Sequence, residues 1–276
     1  MSRGICMKGQ VFMFSFLTLA VIFFILAIAQ PVLAVEVIGH RGAAFYAPEN
    51  TISSIKKALE SGVDGVEIDV HLTKDDKIAV IHDKDTKRIS GGALDLKVAE
   101  TAWAELKKAD AGSFKSPAFA GEKIPLLEEV LAIVPADKKL FIEVKCGVEI
   151  FKVIGHVIEK SGRRENTAII SFSLDVAVMA KIALPRCESY WILGSKFFQG
   201  ASAEDAVEIA VRNNLDGLDL DYKLASASFV KKAKDAGLKF YVWTVDEPPA
   251  AAVLKSYGLD GITTNKPDVI IKKIKR

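Results

Sequence analysis

An α/β fold, a closed TIM-type (β/α)8 barrel, is what this sequence predicts, and three observations predict it. From residue 35 onward, short apolar runs of strand length alternate with longer runs of helical periodicity. Several helical runs end in glycine (Gly62, Gly162, Gly237, Gly258), the residue that tolerates a left-handed cap. Residues 35–276 also come close to the roughly 250 residues that such a barrel occupies, which favours closure over an open parallel sheet.

Taken in order, strands are expected over 35–39, 63–70, 77–81, 140–145, 168–172, 190–193, 217–220, 240–245 and 261–263. Helices are expected over 51–61, 126–134, 150–161, 174–183, 203–213, 226–236 and 249–257, with Asn50 or Thr51 and Ser226 as N-caps. Asn265 and Pro267 are read as ending the last strand. This makes nine strands for an eight-stranded barrel. The link over 70–77 is too short for a helix, so the run 77–81 either crosses over directly or folds back as a hairpin. Residues 83–123 break the rhythm with turn residues (Gly91-Gly92, Gly112, Pro117, Gly121) around one helical stretch at 98–107. They read as a small cap inserted after the third strand, placed where barrel loops build a site.

Residues 1–34 stand apart from this pattern. Arg3 and Lys8 precede an apolar run over 11–29, and Pro31 and the sequence Val32-Leu33-Ala34 follow it. This reads as a secretory signal peptide cut after Ala34. The rival is an uncleaved anchor, because the run is just long enough for a ~30 Å hydrocarbon core. Either reading places the 35–276 domain outside the cytoplasm, periplasmic or extracellular, with membrane association through residues 11–29 if the leader stays.

Composition excludes several classes. The chain is 50% hydrophobic with mean hydropathy +0.23, which is incompatible with disorder. Its 37 basic and 35 acidic residues balance once the leader's two cations are set aside, so no nucleic-acid partner is indicated. Cys6, Cys146 and Cys187 are too few for a disulfide framework or a zinc module.

The polar residues at the C-terminal ends of the strands carry the chemistry. His40-Arg41-Gly42 follows the first strand, Glu67 and Asp69 share one face of the second, and His82-Asp83 closes the third. Glu143 and Lys145 share a face of the fourth, and Tyr241, Trp243 and Val245 are in step on the eighth. A parallel barrel converges them on one mouth. Glu67, Asp69 and Glu143 make a hard oxygen set suited to one divalent cation, Ca2+ or Mg2+ rather than zinc. Arg41 and Lys145 supply fixed positive charge for an anionic substrate, and His40 and His82 can take and give protons near neutral pH. Together they suit phosphoryl transfer. His71 lies one pleat beyond the carboxylates and His156 in a helical run, and neither is given a role. Asp219 and Asp221 share a strand face that can reach the mouth, with parity alone in their favour.

These segments, with Pro48-Glu49-Asn50-Thr51, Gly65-Val66-Glu67-Ile68-Asp69-Val70, Thr73-Lys74-Asp75, Glu143-Val144-Lys145, Trp243-Thr244-Val245 and the run from Asp260 to Pro267, occur in an order that closely resembles the glycerophosphodiester phosphodiesterase family. That family comprises relatives of the phosphoinositide phospholipases C on a TIM-type barrel. The resemblance implies metal ligands at Glu67, Asp69 and Glu143 and catalytic histidines at His40 and His82. It implies phosphate binding by Arg41, an active-site lysine at Lys145 and a pocket-lining aromatic at Trp243. The implied partner is a small-molecule glycerophosphodiester, hydrolysed to glycerol 3-phosphate and an alcohol. Two alternatives stay open: the same chemistry on lysophospholipids or glycerol-phosphate polymers of the envelope, and a non-catalytic phosphodiester-binding envelope protein. An apolar rim on the cap, hinted at by Phe114 and Phe119, would favour lipid.

Overall fold

Among the described residues nine strands form, and eight of them account for the barrel. In the computed structural model, which describes residue 1 and residues 35–275, these are β1 (Glu36–Gly39), β2 (Gly65–Leu72), β3 (Ile78–Val80), β4 (Lys139–Val144), β5 (Thr167–Ser171), β6 (Glu188–Leu193), β7 (Gly217–Asp221), β8 (Lys239–Trp243) and β9 (Gly261–Thr264). β1 pairs in parallel with both β9 and β2, and every pairing from β2 through β4 to β9 is parallel, so the sheet closes. The surplus strand is a hairpin arm. β3 runs antiparallel to β2, with His71 opposite Ala79, after a turn in which the Thr73 N–H donates to the Lys77 carbonyl at 2.8 Å. Five linking residues, 73–77, cannot cover a parallel crossover, so the chain doubles back. The leader, with the 11–29 segment and Cys6, lies outside the described residues. Among the described residues no helix is long and apolar enough to cross a membrane.

The helices are α1 (Ile52–Glu60), α2 (Trp103–Leu106), α3 (Leu127–Ile133), α4 (Ile154–Ser161), α5 (Leu174–Ala183), α6 (Ala203–Arg212), α7 (Ala227–Asp235), α8 (Pro248–Ser256) and α9 (Pro267–Ile274). α1 shows the common logic: Ser54, Ile55 and Ala58 form its buried stripe, while Lys56 and Lys57 face solvent. Thr51, not Asn50, is its N-cap, its hydroxyl accepting from the Ser54 N–H. Ser226 caps α7 in the same way. The helix expected over 150–161 breaks at Val153, whose φ of −120° leaves the helical region between a 3-10 turn and α4. α9 was not expected from periodicity; Pro267, preset for a first helical residue, starts it.

Outward-facing strand residues such as Val66, Ile68 and Ile142 are buried beneath the helices in one continuous core. Inside the barrel, Phe141, Tyr190 and Tyr241 fill the bottom with ring centroids 5.0 to 5.7 Å apart. Gly261 is required there, because a Cβ at that position would stand 2.5 Å from the Tyr241 ring. The bottom is therefore plugged, and the open space is left at the C-terminal mouth.

The 83–123 insertion builds a smaller core of its own from Ile81, Ile89, Val98, Leu106, Ala109 and Ile124. Its helical stretch is shorter than expected, a 3-10 turn at Val98–Glu100 followed by α2. It flanks the mouth, and none of residues 84–123 lines the cavity there. Phe114 packs against the small core, and Phe119 borders a separate cleft with Ile52 and Lys123, so neither makes an apolar rim on the site. Cys146 and Cys187 are free thiols.

Candidate active site

A tight turn follows β1 at the mouth. Arg41 is left-handed (φ 50°), as is Gly42 (φ 85°), where a Cβ would sit 2.5 Å from the Ser54 backbone. Only glycine fits that contact. The turn aims the Arg41 guanidinium across to β2: its Nε stands 3.1 Å from Asp69 Oδ2 and its Nη1 donates to Glu49 Oε1 at 2.9 Å. The Arg41 backbone N–H meanwhile donates to Glu67 Oε2 at 2.8 Å.

Period-two geometry puts Glu67 and Asp69 inside the barrel, and β4 pairs Glu143 with Asp69 in register. One oxygen from each of the three carboxylates lies within 4.8 Å of the others, and all three residues are buried. Lys145 Nζ spans the cluster, 3.1 Å from Asp69 Oδ1 and 2.5 Å from Glu143 Oε1. Asn50 clamps Asp69 twice, donating to Oδ2 at 2.8 Å and accepting from the Asp69 N–H at 3.1 Å.

Burial, with Asp69 and Glu143 adding repulsion, pushes the Glu67 carboxyl well above its usual range. Burial and Asp69 push Glu143 up to about 7. For Asp69, burial acts upward but Lys145 and Arg41 outweigh it, bringing it down to about 2. The three carboxylates crowd one another, which raises Glu67 and Glu143, and Glu67 Oε1 is buried with no hydrogen-bond partner. An all-oxygen donor set with an orphaned buried oxygen fits a divalent cation.

Each histidine is tethered through Nδ1, which leaves Nε2 as the ring nitrogen available for proton exchange. His40 Nδ1 lies 2.8 Å from Asn265 Oδ1, and Asn265 is itself held by Asp246 Oδ2 at 2.7 Å. Because the amide oxygen accepts, Nδ1 carries the proton. His82 Nδ1 lies 2.7 Å from Asp83 Oδ1, and Asp83 accepts from Arg88 Nε at 2.7 Å. Burial and the Arg41 charge lower His40 to about 4, so its ring is neutral at pH 7.

One cavity of about 190 Å3 gathers His40, Arg41, Glu67, His82, Glu143, Lys145 and Trp243 in its walls. Asp69 sits beneath it, fully buried. Ile170, Phe172, Ile192, Asp219, Thr244 and Thr263 complete the lining. Trp243 meets Phe172 edge-on, with ring centroids 5.5 Å apart. His71 stands behind the wall, its Nε2 3.1 Å from the His82 carbonyl.

The structure gives work to residues that sequence reasoning placed elsewhere. Asn50 clamps Asp69 and does not cap α1. Asn265 orients His40 in addition to closing the last strand. Glu49, which the sequence reading does place as a support at the mouth, bridges Arg41 and Arg88, receiving Arg88 Nη2 at 2.7 Å. Arg88 lies in the turn-rich insertion with no sequence signal to mark it. Asn50 and Asn265 do lie within the segments that carry the resemblance, and that was their only signal.

Comparison with known proteins agrees with this geometry. The chain matches the glycerophosphoryl diester phosphodiesterase family over residues 40–269. It is 34% identical over 253 residues to a glycerophosphodiester phosphodiesterase of Caldanaerobacter subterraneus subsp. tengcongensis, covering 87% of this chain and 98% of that one. It is 31% identical over 252 residues to a glycerophosphodiester phosphodiesterase of Bacillus subtilis, covering 85% of each. Among solved structures, an Oleispira antarctica phosphodiesterase in complex with the product sn-glycerol-3-phosphate superposes with a TM-score of 0.80 at 28% identity, covering 88% of this chain and 98% of that one. With the barrel, the carboxylate cluster and the paired histidines in place, the match over almost the whole 35–276 domain leaves one conclusion: this chain belongs to the glycerophosphoryl diester phosphodiesterase family.

Proposed function

We propose that this enzyme hydrolyses glycerophosphodiesters to glycerol 3-phosphate and an alcohol, with one divalent cation and two histidines. The observation that carries the reading is the pair of Nδ1-tethered histidines flanking one cavity above three clustered carboxylates. A cation held by Glu67, Asp69 and Glu143 would act as a Lewis acid on substrate oxygens. Arg41 and Lys145, fixed by their own carboxylate partners, set the phosphate between the histidines and offset the charge that develops on its oxygens. His40 is neutral and serves as the base, taking the proton of the glycerol 2-hydroxyl through Nε2 as that oxygen attacks phosphorus. The bond from phosphorus to the alcohol breaks, and His82 protonates the departing alkoxide. Water then opens the cyclic phosphate with the roles reversed: His82 takes the water proton and His40 returns one to the 2-oxygen.

The test is release of glycerol 3-phosphate from glycerophosphocholine, metal-stripped and with Ca2+ or Mg2+ restored. Dependence on the cation is expected, with Ca2+ the first ion to try. Replacing His40 by alanine should cost about 10²–10⁴-fold in kcat, and Glu67→Ala should abolish the response to cation. A substrate lacking the 2-hydroxyl should not turn over; an undiminished rate would replace internal attack with direct attack by water. No release from any small glycerophosphodiester would overturn the reading.

Lysophospholipids are a second substrate class, favoured by one observation. An apolar groove of about 460 Å3, bordered by Trp191, Leu193 and Phe197, shares Phe172, Ile192 and Trp243 with the cavity. We also propose that residues 1–34 direct export, supported by the basic start, the apolar run and the small residues before Val35. A mature N-terminus at Val35, read by mass spectrometry, would establish cleavage; a retained leader would make it an anchor.

A further inference from the structure

Among the described residues lining the cavity, Asp219 is the one ionisable side chain contributed by β5 through β9. The rest of the lining on that side is Ile170, Phe172, Ile192 and Trp243 with the hydroxyl-bearing Thr244 and Thr263. It is only 3% exposed, and its Oδ1 is buried with no hydrogen-bond partner. It lies outside the cluster of three carboxylates that fits the cation. Burial, then repulsion from Glu143, pushes its carboxyl well above the usual range, as expected of a group with no partner of its own. Leaving such an oxygen unpaired costs free energy that a folded protein rarely carries without return. A ligand hydroxyl would supply the missing partner.

We infer that Asp219 is a substrate-binding residue that receives the terminal, non-attacking hydroxyl of the glycerol moiety. This rests on the proposed glycerophosphodiesterase activity. The placement follows from what the opposite wall must hold. The phosphate and the 2-hydroxyl face Arg41, Lys145 and the histidines on the β1, β2 and β4 side. The alcohol leads out along the groove beyond Phe172 and Trp243. That leaves the terminal hydroxyl directed into the cavity toward β7, where Asp219 is the one ionisable side chain of the lining. Specificity for glycerol over a deoxy analogue then comes from a buried polar group that the analogue leaves unpaired.

The experiment compares kcat/KM for glycerophosphocholine with that for its analogue built on propane-1,2-diol, which keeps the phosphate and the attacking hydroxyl. Wild-type protein should turn over the analogue about 10–100-fold less efficiently. Asp219→Ala should lose about the same factor on glycerophosphocholine and little on the analogue, while Asp219→Asn, which keeps an acceptor oxygen, recovers part of the loss. Neither variant should lower Tm, since the native carboxyl has no partner to lose. Equal efficiency of the wild-type protein on both substrates, equal losses on both in Asp219→Ala, or a lowered Tm in Asp219→Asn would overturn the inference and leave the proposed activity standing. Failure of the wild-type protein to turn over glycerophosphocholine would instead overturn the activity itself, and the inference with it.

Discussion

The two halves of the barrel mouth are built on opposite principles. On the β1, β2 and β4 side each reacting group has a dedicated neighbour: Asn265 for His40, Asp83 for His82, Asn50 for Asp69, and two carboxylates for Lys145. On the β5 to β8 side the wall is Ile170, Phe172, Ile192 and Trp243, and its single carboxyl stands unpaired. The first half is rigid because charge and hydrogen bonding specify every rotamer. The second is defined by shape. Chemistry should therefore be lost by disturbing the first, and selectivity changed by altering the second.

Breaking a tether on the polar side should have the larger effect. Asn265→Ala removes the acceptor that holds His40 Nδ1 and should lower kcat about 10–100-fold with KM little changed. A change confined to KM would mean the tether serves binding instead. On the apolar side, Phe172→Ala should raise KM for substrates with bulky alcohols about 10-fold while leaving kcat for glycerophosphocholine within a few-fold. Loss of kcat across all substrates would erase the distinction between the halves.

The smallest effect is on stability, and here buried carboxyls of both halves act together. Glu143 is raised from 4.5 to about 7, so without a cation the folded chain keeps a proton that the unfolded chain has released. Stability then falls as pH rises through about 7, and Glu67 and Asp219 act in the same direction. His40, lowered from 6.5 to about 4, works the other way, with its full contribution present above pH 6.5. Between pH 6.5 and 8 the metal-free protein should therefore lose Tm, by at most ~1.4 kcal/mol per proton per pH unit. A bound divalent cation should flatten that slope. Thermal unfolding with chelator and with Ca2+ measures both, and a Tm rising with pH in the chelated protein would refute it.

The same division governs what could be read from the sequence. Strand spacing and the polar residues at strand ends gave the barrel and all eight candidate site residues, because a parallel barrel turns sequence order into spatial convergence. The surplus strand at 77–81 is ambiguous in sequence, since so short a link specifies proximity and not direction. Asn50 looked like a helix cap because Asn favours that position; its left-handed backbone (φ 60°) instead points the amide at Asp69, 19 residues away. Asp219 was visible only as parity on β7. Its significance lies in the absence of a partner, and a missing contact leaves no trace in sequence.

Arg88 joins the two regions of chain that sequence reading kept apart. From the insertion it grips Asp83, which orients His82, and Glu49, which braces Arg41, yet it does not line the cavity. The insertion is thus not a detachable module. A homologous loop of equal length but without a guanidinium at this position could be grafted onto an intact barrel and would release a histidine and an arginine at once. A loop exchanged into this barrel would need its own clasp on Asp83 and Glu49 to keep both side chains braced.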